Sequence, residues 1–400
     1  MKIDWRRNLW ISWIGCFFTG ASMSLVMPFI PLYIEELGAP KNQIELFSGL
    51  AVSVTAFAAA VVAPIWGNMA DRKGRRMMMI RASIGMTIAM GSLAFVPNVY
   101  WLLIMRFVNG LLSGYMPNAT ALIASQTPRE NSGWALGTLA TGGIAGNLIG
   151  PSLGGALAQL FGMKNVFIVT GIILFITFLL TVFFVQEDFT PVEKTEMVSM
   201  KEIFSRIDNV SILVGLFVTS LILQTGINSI SPILTLYIRQ LSGNTSNVMF
   251  VSGLIVSVAG VSAIFSSPSL GKLGDRFGNH RILLGGLFLS LICYIPMGFV
   301  QTPLQLGILR FLLGFSTGAL MPSINTLINR ISPVEGVSRI YSYNQMFTNF
   351  GQVLGPMVGS TVAHGFGYPA VFFATSILVV FNIILSFFNF RKYLTKNSIV

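Results

Sequence analysis

"GNMADRKGRR" (67–76) and "GKLGDRFGNHR" (271–281) are versions of one stretch. Gly67 falls on Gly271, Asp71 on Asp275, Arg72 on Arg276 and Gly74 on Gly278, all at one constant offset. That offset also carries Pro28 to Pro232, Tyr33 to Tyr237, Pro64 to Pro268, Arg106 to Arg310, Gly110 to Gly314 and Gly114 to Gly318. Further on it lengthens by one residue, taking Pro117 to Pro322, Pro128 to Pro333 and Gly150-Pro151 to Gly355-Pro356. The chain thus reads as two homologous halves, residues 1–185 and 209–400, joined by the polar segment 186–208.

Each half is built for lipid. The 400 residues are 53% hydrophobic and 10% charged, with 32 Phe, 40 Gly and only 14 acids, too apolar for a soluble domain of this size. Uncharged stretches long enough to cross a bilayer recur at 8–34, 46–70, 82–105, 107–128, 131–163, 165–186, 209–238, 240–271, 282–309 and 311–329. The last, 340–390, is long enough for two spans broken at "HGFGYP" (364–369), which makes twelve. Lipid offers no hydrogen bonds to an open backbone, so the runs are expected to be helical, and the alternating pattern of a membrane barrel is missing. "MKIDWRRNLW" looks like the start of a signal peptide, but the apolar run behind it is too long, so it is read as a retained first helix. Cys16 and Cys293 fall inside spans and suggest neither a disulfide framework nor a metal site.

The net charge of +11 is distributed by side. With both termini on one face of the membrane, the opposite face holds only Lys41, Lys164 and Arg239 among the bases, while Arg106 and Arg310 lie within spans. That asymmetry is the positive-inside bias and places both ends in the cytoplasm of a multi-pass cell-membrane protein. The basic excess therefore sets orientation, and nucleic acid is not expected as a partner. Parallel six-helix repeats are one way to build a transporter whose halves rock about a central cavity.

Three motifs carry a resemblance. The opening stretch fits Gly-x-x-x-Asp-Arg-x-Gly-Arg-Arg through Gly67, Asp71, Arg72, Gly74 and Arg75. "RFVNG" (106–110) puts Arg106 inside helix four, where a charge in hydrocarbon faces a cavity or a partner. Gly137, Gly146, Gly150, Pro151, Gly154 and Gly155 in helix five fit Gly-x8-Gly-x3-Gly-Pro-x2-Gly-Gly without a gap, small residues that let helices pack closely. On these residues the chain resembles the major facilitator superfamily over its whole length, and in particular its twelve-helix drug:proton antiporters. The resemblance implies an all-α membrane fold, the major facilitator fold, with twelve helices in two pseudo-symmetric six-helix bundles. It also implies that Gly67 admits a neighbouring helix, that Asp71 latches the cytoplasmic side against the start of helix eleven near Glu335, and that Asp275 and Arg276 repeat that gate. The glycines and Pro151 of helix five would let it bend.

If helices one, four, seven and ten line the cavity, its candidates are Met27, Tyr33, Asn109, Tyr115, Asn118, Gln224, Asn228, Tyr237, Phe315 and Asn325. Methionine and aromatic side chains make adaptable walls. None of the 14 acids falls at mid-membrane, a departure from many proton-coupled relatives. Permanent cations are therefore disfavoured as substrates, and neutral, zwitterionic or weakly basic lipophilic compounds, fluoroquinolone-like drugs among them, fit better. Proton coupling would then fall to Glu35, Glu36 or Asp71 at helix ends, with Arg106, which Glu35 or Glu36 or a backbone carbonyl could partner. His364 is read as a loop residue. The expectation is a monomeric exporter without cofactor or metal, not an enzyme; a porter for a sugar or small organic anion is the alternative.

Overall fold

The computed structural model describes residues 4–128, 131–188, 210–243, 247–332 and 337–395, without the side chains of Asp71, Ser132, Gly133, Lys272, Asp275, 337–339, Ser342 and 392–395. The described residues form helices and no strand. In chain order they are α1 (Trp5–Val26), α2 (Ile30–Glu36), α3 (Ile44–Lys73), α4 (Arg75–Ser92), α5 (Val99–Leu112), α6 (Tyr115–Gln126), α7 (Ser132–Phe161) and α8 (Met163–Phe184). After the linker come α9 (Val210–Ile230), α10 (Leu234–Leu241), α11 (Val248–Phe277), α12 (Asn279–Met297), α13 (Pro303–Ile331), α14 (Val337–Phe366) and α15 (Tyr368–Thr395).

Joined across their breaks, α1 with α2, α5 with α6 and α9 with α10 give the twelve membrane helices expected from the sequence. Ten of the twelve are long and apolar enough to be recognised as spans by hydropathy alone. The other two are α7 and α14, each 30 residues long. Their glycines and polar residues dilute the hydropathy, although their length suffices to cross.

Contacts divide the chain into two compact units, Met1–Lys194 with Ser246–Ser257, and Thr195–Thr245 with Val258–Val400. Inside the first, α1 packs along α7, α4 along α8 and α3 along α5. Inside the second, α9 packs along α14 and α12 along both α13 and α15.

The sequence repeat becomes a repeat of backbone devices. Helix one breaks at the short 3-10 turn Met27–Phe29 around Pro28, and helix seven breaks between Ile230 and Leu234 around Pro232. Proline lacks the N–H that would continue the ladder. Gly74 (φ 91°) and Gly278 (φ 96°) make the same left-handed turn after helices two and eight. Gly162 (φ 78°) and Gly367 (φ 81°) do so before helices six and twelve. His364 is not a loop residue, because α14 runs on to Phe366.

Candidate functional site

The glycines of helix five act on helix one. A Cβ on Gly146, Gly150 or Gly154 would collide with the carbonyl of Phe17, with Ser24 Oγ and the carbonyl of Ala21, or with the carbonyl of Leu25. Spaced four apart, they form one bare stripe on which α1 lies. Gly351, Gly355 and Gly359 do the same for α9, against the carbonyls of Leu221, Thr225 and Ser229. Gly155 stands outside this stripe: its Cβ would meet the carbonyl of Met249 at the start of α11, which belongs to the same unit. Gly253 meets the carbonyl of Pro151 there, and Ser152 Oγ bonds Ser257 Oγ at 2.8 Å. Gly137 departs from the expectation of close packing, since a Cβ there has nothing within 4 Å. Around a Cβ on Gly67 or Gly271, too, nothing among the described residues lies within 4 Å, and the start of helix eleven near Glu335 lies outside them.

At the opening stretch, helix three starts directly after Gly74, which has no side chain to cap it, so its first N–H groups need another acceptor. Glu187, just beyond helix six, supplies both carboxylate oxygens, accepting from Arg75 N at 2.8 Å and Arg76 N at 2.7 Å. A carboxylate there also meets the positive end of the helix dipole. Nothing in the sequence singles out Glu187, because its partner amides lie more than a hundred residues away. The neighbouring residues are tied in as well. Asn8 Nδ2 donates to Gln126 Oε1 (2.7 Å) and to the Gln186 carbonyl (2.6 Å), and Gln186 N donates back to Asn8 Oδ1 (3.0 Å). Arg72 is exposed and Arg75 half-buried, while the side chains of Asp71 and Asp275 lie outside the described ones; Arg276 is exposed. Glu335, the expected far side of the latch, also lies outside the described residues.

Arg106 is buried to 1% exposure in α5. Its Nε donates to the Ala51 carbonyl at 3.1 Å and its Nη2 to Met27 Sδ at 3.3 Å. The described partners are thus a carbonyl of helix two and a weak sulfur acceptor rather than a carboxylate of Glu35 or Glu36. Glu35 is half-buried and Glu36 exposed at the end of α2. Thr55 Oγ1 donates to the Arg106 carbonyl at 3.0 Å, and Gly110, one turn on, lets α5 meet Thr55 and Ala58. Asn109 is fully buried, and neither its Oδ1 nor its Nδ2 has a hydrogen-bond partner.

Several cavity candidates are occupied elsewhere. Tyr33 is buried and its hydroxyl donates to the Leu93 carbonyl at 2.6 Å. Tyr237 repeats this to the Met297 carbonyl at 3.1 Å, so in both halves the tyrosine pins the end of helix one or seven to the end of helix three or nine. Tyr115 is buried in the first unit's core, its hydroxyl 3.1 Å from Thr181 Oγ1. Asn118 Nδ2 donates to the Gly114 carbonyl at 2.7 Å. The structure brings Gln224 and Asn228 together at 3.2 Å, both half-buried beside the stripe of α14. Phe315, 36% exposed, packs edge-on against Phe311. Asn325 is exposed, and its carbonyl accepts from the Tyr341 hydroxyl at 2.7 Å.

With this geometry in hand, comparison with known proteins gives a consistent result. Residues 12–261 and 216–398 match the family description "Major Facilitator Superfamily". The chain is 58% identical over 398 residues to the "Multi-drug resistance efflux pump PmrA homolog" of Lactococcus lactis, covering 100% of this chain and 98% of that one. It is 50% identical to the "Multi-drug resistance efflux pump PmrA" of Streptococcus pneumoniae serotype 4, each covered fully. The "Multidrug resistance protein MdtG" of Klebsiella pneumoniae is 50% identical over 98% of this chain and 95% of its own. Among solved structures, a bacterial homolog of the human lysosomal transporter Spinster, inward-facing and unoccupied, superposes with a TM-score of 0.79 at 15% identity, covering 98% of each chain.

Proposed function

Since the chain belongs to the Major Facilitator Superfamily, we propose that it is a cell-membrane exporter of lipophilic small molecules, working by alternating access in exchange for protons. It is a multi-pass membrane transporter rather than an enzyme. The observation that carries the export reading is whole-length identity, 58% over 398 residues, to a relative named as a multi-drug efflux pump. Both termini are placed in the cytoplasm by the bias of Lys and Arg. Neutral, zwitterionic or weakly basic compounds, fluoroquinolone-like drugs included, suit a protein whose acids all lie outside mid-membrane by sequence. Proton coupling is assigned to Glu35, Glu36 and Asp71, with Arg106 as the buried charge that responds to them. Arg106 holds only a carbonyl and a thioether among its described partners, so a change in its surroundings can shift it at small cost in broken bonds.

The test is the purified protein in liposomes with an imposed pH gradient and a panel of fluorescent dyes and fluoroquinolones. Gradient-dependent movement of dye that falls at least tenfold in Arg106→Ala supports the reading. Uptake of a sugar or small organic anion with no dye movement replaces it with the solute-porter alternative. Intact coupling in Glu35→Gln, Glu36→Gln and Asp71→Asn alike removes all three proton assignments.

A further inference from the structure

Helix four is broken and helix ten is not. α5 ends at Leu112 and α6 begins at Tyr115, with Gly114 between them at φ 119°, whereas α13 runs unbroken from Pro303 to Ile331 through the equivalent Gly318. A break inside a membrane helix strips carbonyls of their i+4 donors, and lipid cannot replace those donors. Here most of the carbonyls around the break have found another donor. The Gly110 carbonyl accepts from Ser113 Oγ at 2.8 Å. The other two reach out to neighbouring helices. The Leu111 carbonyl accepts from Trp66 Nε1 at 2.8 Å, and the Leu112 carbonyl from Arg81 Nη1 at 3.1 Å. The Arg81 guanidinium also lies 3.7 Å over the Trp66 ring, so the two donors form one stacked clasp from helices two and three.

The second half is the control. The repeat puts Leu270 where Trp66 stands and Gly285 where Arg81 stands, and neither side chain donates a hydrogen bond. Clasp and break are thus present together in one half and missing together in the other. The offset of the repeat also lengthens by one residue between Gly318 and Pro322, so the half with the break is the half that is one residue short at that point. Proline does not forbid closure, because Pro322, the counterpart of Pro117, sits inside the unbroken α13. The clasp itself is incompletely satisfied. Arg81 keeps Nε and Nη2 buried without a hydrogen-bond partner, which raises the free energy of the broken form.

We infer that Trp66 and Arg81 are positioning residues for transport: they hold helix four broken at Ser113–Gly114, and the helix closes to an unbroken form when they release Leu111 and Leu112. Closure would rotate Arg106 and Asn109 relative to Tyr115 and Asn118. The transport role rests on the export reading above, but the break and its clasp do not.

The experiment uses the full-length protein with Cys16 and Cys293 replaced by Ser and nitroxide labels at Ile104→Cys and Thr120→Cys, on either side of the break. An unbroken helix would set these backbones about 24 Å apart. Trp66→Phe, which keeps the ring and removes the donor, and Arg81→Met are each expected to enrich that distance at least threefold, with Arg81→Lys restoring the parent distribution. In liposomes Trp66→Phe should lower the maximal dye rate several-fold with KM within twofold. Unchanged distances in well-folded Trp66→Phe, Arg81→Met and Gly114→Ala overturn the clasp. A raised KM at unchanged maximal rate overturns the positioning role, since it means direct ligand contact. Shifted distances in a protein that moves no dye in any variant sink the export reading and leave the clasp standing.

Discussion

The seam between α1 and α7 and the seam between α9 and α14 are one joint made twice, while the clasp on helix four has no twin. In each seam three glycines four apart face three carbonyls at matching positions of the repeat. A joint retained in both copies does work that both bundles need, namely the close approach of two helices in a solvent that gives no hydrophobic drive. Features of one copy only, such as the break at Gly114, the paired Trp66 and Arg81, the carboxylate of Glu187 and Gly155 against Met249, are where the halves have been given different tasks. Gly155 illustrates the division within one motif, since Gly146, Gly150 and Gly154 belong to the common joint and Gly155 does not.

The largest effect that can test this division is a methyl group in the seam. At Gly154 the clash is with the backbone of Leu25 and at Gly359 with that of Ser229, so neither neighbour can rotate away. Gly154→Ala and Gly359→Ala should each destabilise by about 1–3 kcal/mol, in equal measure, and lower the thermal midpoint in detergent together. If only the first-half variant is destabilised, the seams are not one joint. Gly137→Ala, with open space around it, should move the midpoint little.

A smaller, one-sided effect is expected at Glu187. Its two oxygens serve two amides of helix three, and the matching position of the second half is Lys392, so no carboxylate can do the same there. Glu187→Ala leaves both N–H groups to water and should cost about 1–2 kcal/mol, a range typical of lost caps. Glu187→Gln, with one oxygen and no charge, should recover part of it. The check is hydrogen exchange at Arg75 and Arg76, which should speed up in Glu187→Ala before any global loss of stability. Unchanged exchange at those amides would remove the capping role.

What could be read in advance divides only in part along the same line. The match of Gly74 to Gly278 was legible in the repeat, and both make the same turn, whereas 8–34 and 209–238 read as continuous runs and hid the breaks at Pro28 and Pro232, since a proline such as Pro64, Pro268 or Pro322 also sits inside an unbroken helix. The break at Gly114 was hidden as well, since "LLSGY" is apolar enough to continue a span and a lone glycine is tolerated in a membrane helix. Its trace was the one-residue slip in the repeat, visible only once the second half is laid beside the first. Arg106 was singled out by its cost in lipid and is buried in the fold, but its acceptor is a backbone carbonyl, which leaves no mark in side-chain identity. Glu187 was missed because its partners are amides more than a hundred positions away in the chain.

The smallest effect concerns the two tyrosines, and it separates a joint from a binding wall. Tyr33 and Tyr237 stood among the cavity candidates because helices one and seven were expected to line it. In the fold each hydroxyl instead satisfies a carbonyl at the end of a neighbouring helix, Leu93 or Met297, with the ring packed on Phe167 or Phe372. Replacing the hydroxyl by hydrogen keeps the ring and leaves one buried carbonyl short of a donor, a loss of about 1 kcal/mol. Tyr33→Phe and Tyr237→Phe should therefore lower the thermal midpoint by similar small amounts and leave the relative rates for different dyes unchanged. A selectivity change at full stability in either variant would return that tyrosine to the cavity, and a change in one variant alone would make helix one or helix seven, like helix four, a place where the copies have parted.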